Sequence, residues 1–282
     1  MLKQRVITAV LLLLVLLPAM LAPIVWPFAL LVLLAVAVAA WEWARLNGVA
    51  GTGALLIGLA VAVACGASFL FGYVFAVPSG LWWIISLAWV IGSIAALRAG
   101  VSGWKTVPKV LRLVLGMAAL WAAWLALTNA KTIGINFLLS VLCLVWAADI
   151  AAYFGGKAFG RRKLAITISP GKSWEGAISG AIGVLVLAVI WIQLDRRFEF
   201  DSASIYSDLL ERFGAVALVA AVLCLSALSV VGDLVESLVK RSAGAKDSSA
   251  LLPGHGGLLD RVDALLPVLP FALALIHMPN LR

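Results

Sequence analysis

Long apolar runs, each close to the length of a bilayer crossing, recur along the whole chain and are separated by short polar breaks. A crossing needs about 20 mainly apolar residues. The pattern predicts nine transmembrane helices, at 6–25, 28–46, 54–75, 81–97, 112–130, 133–154, 177–194, 214–240 and 262–279. The first two are separated only by the turn from Pro23 to Pro27. The expected fold class is therefore all-α, a polytopic membrane protein forming one membrane domain over 1–282. Within it, spans one to five (1–131) carry few polar groups and have an open role, whereas spans six to nine (132–282) alternate with polar loops. Lys3 and Arg5 before an apolar core, then Ala19-Met20-Leu21-Ala22, have features of a signal peptide; because further spans follow at once, a retained first span is expected.

Composition agrees with the pattern. Hydrophobic residues make up 64% of the 282 positions and charged residues 12%, so a water-soluble globule would expose large apolar areas. Cys65, Cys143 and Cys224 each fall inside an apolar run without a CxxC spacing, which reads as packing. Two histidines, His255 and His277, do not suit a His-rich zinc or haem site. Trp26, Trp41, Trp43, Trp82, Trp83 and Trp104 lie near span ends, where indole rings favour the interface.

The formal charge of +8 reads as topology rather than nucleic-acid binding. With the N-terminus cytoplasmic and the C-terminus outside, 16 of the 21 lysines and arginines fall on the inner side. The other five are Lys131, Arg196, Arg197, Arg212 and Arg282. Of the 13 acidic residues, Asp195, Glu199, Asp201, Asp208 and Glu211 occupy one outer loop and read as solvated. Asp149, Glu175, Asp233, Glu236, Asp247, Asp260 and Asp263 fall on the inner side, interleaved with lysine and arginine. That mixture suggests a metal and a polyphosphate.

Span eight is apolar until Ser226 and then carries Ser229, Asp233, Glu236, Ser237 and Lys240 on one helical face. Ionisable groups within a span are expensive, so they usually face the bundle interior and serve function. A Glu236–Lys240 pair could simply end the helix, but that does not account for Asp233. In the loop that follows, Gly254, Gly256 and Gly257 let main-chain N–H groups approach an anion. Asp260 and Asp263 then lie three residues apart on a helix face, and together with Asp233 they suit a divalent cation. A second element, between spans six and seven, runs from Asp149 through four basic residues to Ser169-Pro170-Gly171-Lys172-Ser173, which adds a fifth. Its end looks like the tail of a P-loop, but glycine is missing where Ile166 stands. Hydroxyls and a lysine at a helix start still favour phosphate.

The run Ser237 to Asp263, SLVKRSAGAKDSSALLPGHGGLLDRVD, resembles the signature of the phosphatidate cytidylyltransferase (CDP-diacylglycerol synthase) family. Gly232 to Glu236, Ser169 to Gly176 and Ala148-Asp149 with Tyr153-Phe154 and Gly160 resemble it as well. The likeness is strong over 146–263; the first 130 residues match only in being hydrophobic. Ile150 and Gly171 are minor departures. The resemblance implies transfer of CMP from CTP to phosphatidate, releasing pyrophosphate, with Mg²⁺ and in some members K⁺ beside it. It also implies a membrane homodimer; the short nine-span chain suggests a bacterial inner membrane, the distribution of lysine and arginine puts these residues at its cytoplasmic face, and no nucleic-acid partner is expected. Carried over by position, Asp233 and Asp260 would be metal ligands and, with Lys240, the catalytic groups. Ser169, Lys172, Ser173, Ser237, Arg241, Lys246, Asp247, His255, Arg261 and Asp263 would bind substrate.

Two other functions compete with this one. A lipid-alcohol kinase looks similar around Lys172-Ser173-x-Glu175-Gly176 but does not carry the His255-Gly256-Gly257-x-x-Asp260-Arg261-x-Asp263 run. A secondary transporter would put its polar groups near the midplane and often show repeated halves, and no convincing repeat is found.

Overall fold

The polar breaks become turns between ten helices in the computed structural model, which describes residues 2–252, 254 and 256–279. Arg282, counted above on the outer side, falls outside that range. The helices are α1 (Leu2–Leu21), α2 (Trp26–Leu46), α3 (Gly51–Leu70), α4 (Ser79–Thr106), α5 (Lys109–Ile133), α6 (Ile135–Phe159), α7 (Trp174–Arg197), α8 (Ile205–Ser242), α9 (Leu259–Val262) and α10 (Leu265–Ile276). Pro27 at the start of α2 suits the first turn, where its missing N–H would be unpaired anyway. Glycines break α4 at Gly100 (φ 69°) and α8 at Gly214 (φ 81°), so the ends beyond them leave the axis of the span. The helical expectation needs one amendment: between α6 and α7 the chain forms a short antiparallel hairpin of β1 (Lys163–Ala165) and β2 (Ser169–Ser173).

Among the described residues, seven helices, α2 to α8, are long and apolar enough to cross a bilayer; the expected count of nine is not met by this measure. The ninth expected span divides into α9 and α10. Twelve residues of α10 reach about 18 Å, short of the roughly 30 Å hydrocarbon layer. Ten of those twelve residues are buried in protein, so its hydrophobicity serves a core rather than a lipid surface.

The two ends of the bundle are tied separately. At one end, Lys109 Nζ donates to Gly48 O at 2.6 Å and Trp104 Nε1 donates to Asn47 Oδ1 at 3.2 Å. At the same end Arg241 Nε donates to Ile168 O at 3.3 Å, so the breaks 47–50, 107–108, 160–173 and 243–258 gather there. At the other end Asn129 Nδ2 donates to Val74 O at 2.9 Å and the Asn136 amide donates to Asp201 Oδ1 at 3.0 Å. Three of the tryptophans expected at the interface are instead buried: Trp43, Trp82 and Trp104. Trp43 stacks edge-on against Trp104 at 5.9 Å and donates to Arg112 O at 2.9 Å. Its indole fills a notch that any side chain at Gly116 would close.

Helices α6 and α7 pack closely because small residues line their contact. A Cβ on Gly176 or Gly180 would lie 2.9 Å from the Ala152 or Ala148 carbonyl oxygen. This tight pair fixes the hairpin at the end of the bundle where α8 brings its polar residues.

Candidate active site

The last three turns of α8 are both apolar core and polar face. Leu234, Leu238 and Val239 are buried among the other helices, while Asp233, Glu236, Ser237 and Lys240 turn together towards α9 and the hairpin. Ser237 Oγ donates to Asp233 Oδ1 at 3.1 Å. Gly232 lets α10 pass close by, because a Cβ there would lie 2.5 Å from the Asp263 carbonyl oxygen. That approach brings Asp263 to the α8 face. Oxygens of Asp233, Glu236 and Asp263 all lie within 4.8 Å of one another.

Two lysines border this group. Lys172, carried by β2, reaches Asp233 Oδ2 at 2.5 Å. Lys240 contacts Glu236 Oε2 on its own helix and Asp260 Oδ1 at 2.6 Å. The carboxylates of Asp233, Glu236, Asp260 and Asp263 with the two ammonium groups leave a formal charge of −2, which one divalent cation balances. Oxygen-only, partly shielded donors suit a hard cation such as Mg²⁺. Asp149 on α6 lies near enough to Asp233 and Lys172 to feel both charges.

Asp260 is bound differently from the other three. Its Oδ2 accepts the Ser248 amide at 3.0 Å, the Ser248 hydroxyl at 2.8 Å and the Gly257 amide at 2.8 Å. Burial works against its ionised form, but the Lys240 ammonium and the Gly257 and Ser248 amides outweigh it and hold the carboxyl below the usual carboxylate range. The expected metal pair, Asp233 and Asp260, is thus distributed over two environments. Asp233 belongs to the convergent group, and Asp260 joins that group through Lys240.

The remaining expected residues separate by position. Ser173 caps α7, accepting the Gly176 amide at 3.1 Å, and Ser169 pairs with Ala165 in the hairpin. Glu175 accepts the Arg161 and Arg162 amides at 3.0 and 3.1 Å, closing the base of the same loop. Arg241 braces the hairpin through Ile168 O and the loop through Ala245 O, each at 3.3 Å. Lys246 and Asp247 are exposed on the loop after α8, and Arg261 is exposed on α9. His255 lies outside the described residues.

Sequence reasoning missed Glu42 and Ser248. Glu42, on α2, is fully buried and accepts hydrogen bonds from the loop between α8 and α9. Its signal was present: it is the only acidic residue before Asp149, set in an otherwise apolar span.

Comparison with known proteins agrees in extent with this arrangement. Residues 3–278 match the profile of the Cytidylyltransferase family. A phosphatidate cytidylyltransferase of Pseudomonas aeruginosa is 40% identical over 287 aligned residues, covering 98% of this chain and 97% of that protein. One from Haemophilus influenzae is 49% identical over 138 residues, 49% of this chain and 44% of the relative. A third, from Brucella suis, is 36% identical over 205 residues, 70% of this chain and 69% of the relative.

Proposed function

Since the chain belongs to the cytidylyltransferase family, we propose that the carboxylate and lysine cluster joining α8, α9 and the hairpin is where its reaction takes place. The enzyme is a multi-pass membrane protein and makes CDP-diacylglycerol and pyrophosphate from CTP and phosphatidate. The observation that carries the proposal is the convergence of Asp233, Glu236 and Asp263, with Lys172 and Lys240 at its edges.

The chemistry needs alignment and charge control more than a base. A phosphatidate phosphate oxygen is largely ionised at neutral pH and attacks the α-phosphorus of CTP; the bond to the β-phosphate oxygen breaks and its electrons leave with pyrophosphate. Both reactants are anions, so cationic groups lower their repulsion and stabilise charge on the leaving group. Mg²⁺, when bound, would supply most of that neutralisation and align triphosphate oxygens, held by Asp233, Glu236 and Asp263. Lys172 is the mobile-length cation of the set: it sits on a hairpin, pairs with Asp233, and can exchange that carboxylate for a substrate phosphate. Lys240 is fixed between two carboxylates and orients them. Lys246 and Arg261, exposed beside the loop, are assigned to phosphate contacts, with Asp247 and His255 nearby in sequence. Ser237 orients Asp233, while Ser169, Ser173 and Arg241 shape the hairpin that delivers Lys172.

The reading puts this end of the bundle at the cytoplasmic side of a bacterial inner membrane, with the N-terminus cytoplasmic and the C-terminus outside, since α10, enclosed by the other helices, ends at the opposite end where Arg212 donates to the Ile276 and Met278 carbonyls. The excess of lysine and arginine in the loops at this end supports it, as does the location of CTP. A homodimer is part of the proposal, to be checked by mass measurement in detergent. Purified protein given labelled CTP and phosphatidate should release pyrophosphate and form CDP-diacylglycerol in a Mg²⁺-dependent way. Transfer of the γ-phosphate alone to a lipid alcohol would identify a kinase instead, and anion counterflow without CTP chemistry a transporter.

A further inference from the structure

Glu42 is fully buried near the end of α2, more than 200 positions in sequence from every group it holds. Its Oε1 accepts from Ser249 Oγ at 2.5 Å and the Leu258 amide at 3.1 Å. Its Oε2 accepts from the Leu259 amide at 2.7 Å and lies 3.2 Å from Ser248 Oγ, whose single proton it shares with Asp260. Three donors of its own and the shared Ser248 hydroxyl surround the buried charge, and they come from both sides of the 248–259 loop. Burial without such partners would cost several kcal/mol. Gly257 completes the fit: a Cβ at this position would run into the Glu42 carboxylate and the Ser248 hydroxyl.

Ser248 faces two carboxylates at once. Its hydroxyl lies 3.2 Å from Glu42 and 2.8 Å from Asp260, and its amide donates to Asp260. A polar chain therefore runs from Glu42 through Ser248 to Asp260, then Lys240, then Glu236 of the convergent carboxylates. We infer that Glu42 is a positioning residue for nucleotidyl transfer: it clamps the two ends of the 248–259 loop so that Asp260 holds Lys240 in register with the α8 carboxylates. In this way an N-terminal span completes the active site without touching substrate. The inference rests on the cytidylyltransferase reading, which wild-type turnover in the same assay tests separately.

The experiment uses full-length protein in lipid nanodiscs and compares wild type with Glu42→Gln, Ser248→Ala and the double variant. Glutamine keeps the shape but turns an NH2 group towards a backbone N–H, that of Leu258 or of Leu259, whichever way the amide lies. Expected for Glu42→Gln is a fall in kcat of about 10- to 100-fold, the effect of losing one or two hydrogen bonds to a charged group, with KM for CTP within about threefold. The two single effects should not multiply in the double variant, because both pass through Ser248. Thermal unfolding of each variant gives the folded fraction, to which turnover is normalised. A merely structural tie would lower the yield of folded protein and leave normalised kcat unchanged, overturning the inference. Multiplying effects in the double variant would overturn it too. Should Glu42→Gln fail to fold, Ser248→Ala alone decides: its loop keeps the amide bond to Asp260, and wild-type kcat in that variant rules out the relay.

Discussion

Replacing Asp260 with asparagine is the most informative perturbation of the cluster. The carboxylate serves four donors, one at Oδ1 and three at Oδ2. Asparagine offers a single oxygen. If the amide keeps its oxygen towards Ser248 and Gly257, its NH2 group faces the Lys240 ammonium; the opposite flip confronts two backbone N–H groups. The first arrangement is the cheaper one, and it leaves Lys240 with Glu236 alone. Asp260 and Lys240 are only 10% and 13% exposed, so solvent does little to replace the lost partner. A hydrogen bond to a charged group contributes about 1.5–3 kcal/mol, and breaking a buried ion pair from one side costs about 3–5 kcal/mol. A loss of about 2–4 kcal/mol in the arrangement of the site corresponds to a fall in kcat of about 30- to 1,000-fold. The assay is formation of CDP-diacylglycerol from labelled CTP at saturating Mg²⁺, with folding monitored by size-exclusion and thermal unfolding. Turnover within threefold of wild type, in a protein that unfolds at the wild-type temperature, would refute the reasoning. The same variant has a pH signature. The folded carboxyl titrates below the unfolded value of about 3.9, so its stabilisation is complete above that value and is lost as pH falls through the lower folded value. Stability of the variant should therefore decline less steeply than wild type below about pH 4.

Three further outcomes are expected. Lys172→Ala removes the hairpin cation beside Asp233 and should raise KM for CTP about tenfold with a smaller change in kcat, measured by initial rates over a CTP series. Gly257→Ala forces a methyl group against Glu42 and Ser248 and should cost about 1–3 kcal/mol of stability, read as a lower unfolding temperature with reduced turnover. Chelation should abolish activity and added Mg²⁺ restore it, and Asp233→Asn or Asp263→Asn should raise the half-saturating Mg²⁺ concentration at least tenfold in the same titration.

Much of this protein is legible in its sequence because bilayer physics is written in composition. Twenty-residue apolar runs require helices, since backbone groups in hydrocarbon must pair within their own segment. Helix period then puts Asp233, Glu236, Ser237 and Lys240 on one face, and alternation of spans brings the loops before α7 and after α8 to one end of the bundle. The Ser237 to Asp263 run could be read as a functional segment for the same reason: charge within or beside a span is too costly to be idle.

Hydropathy cannot distinguish a surface facing lipid from one facing protein, and the departures at α10 and at the tryptophans follow from that. The stretch holding α10 is as apolar as any span, yet it is a short helix enclosed by its neighbours, and Trp43, Trp82 and Trp104 are packed rather than interfacial. The partners of charged groups lay equally beyond reach. Lys240 had a carboxylate one turn away in sequence, but only the close passage of α10 over Gly232 and the docking of α9 decided that it would bridge Glu236 and Asp260 while Asp263 joined Asp233. Glu42 was visible as a lone charge in an apolar helix. That it clamps a loop 206 to 217 residues away was settled by tertiary packing, because a buried carboxylate takes whichever donors the fold brings to it, and sequence distance sets no limit on which those are.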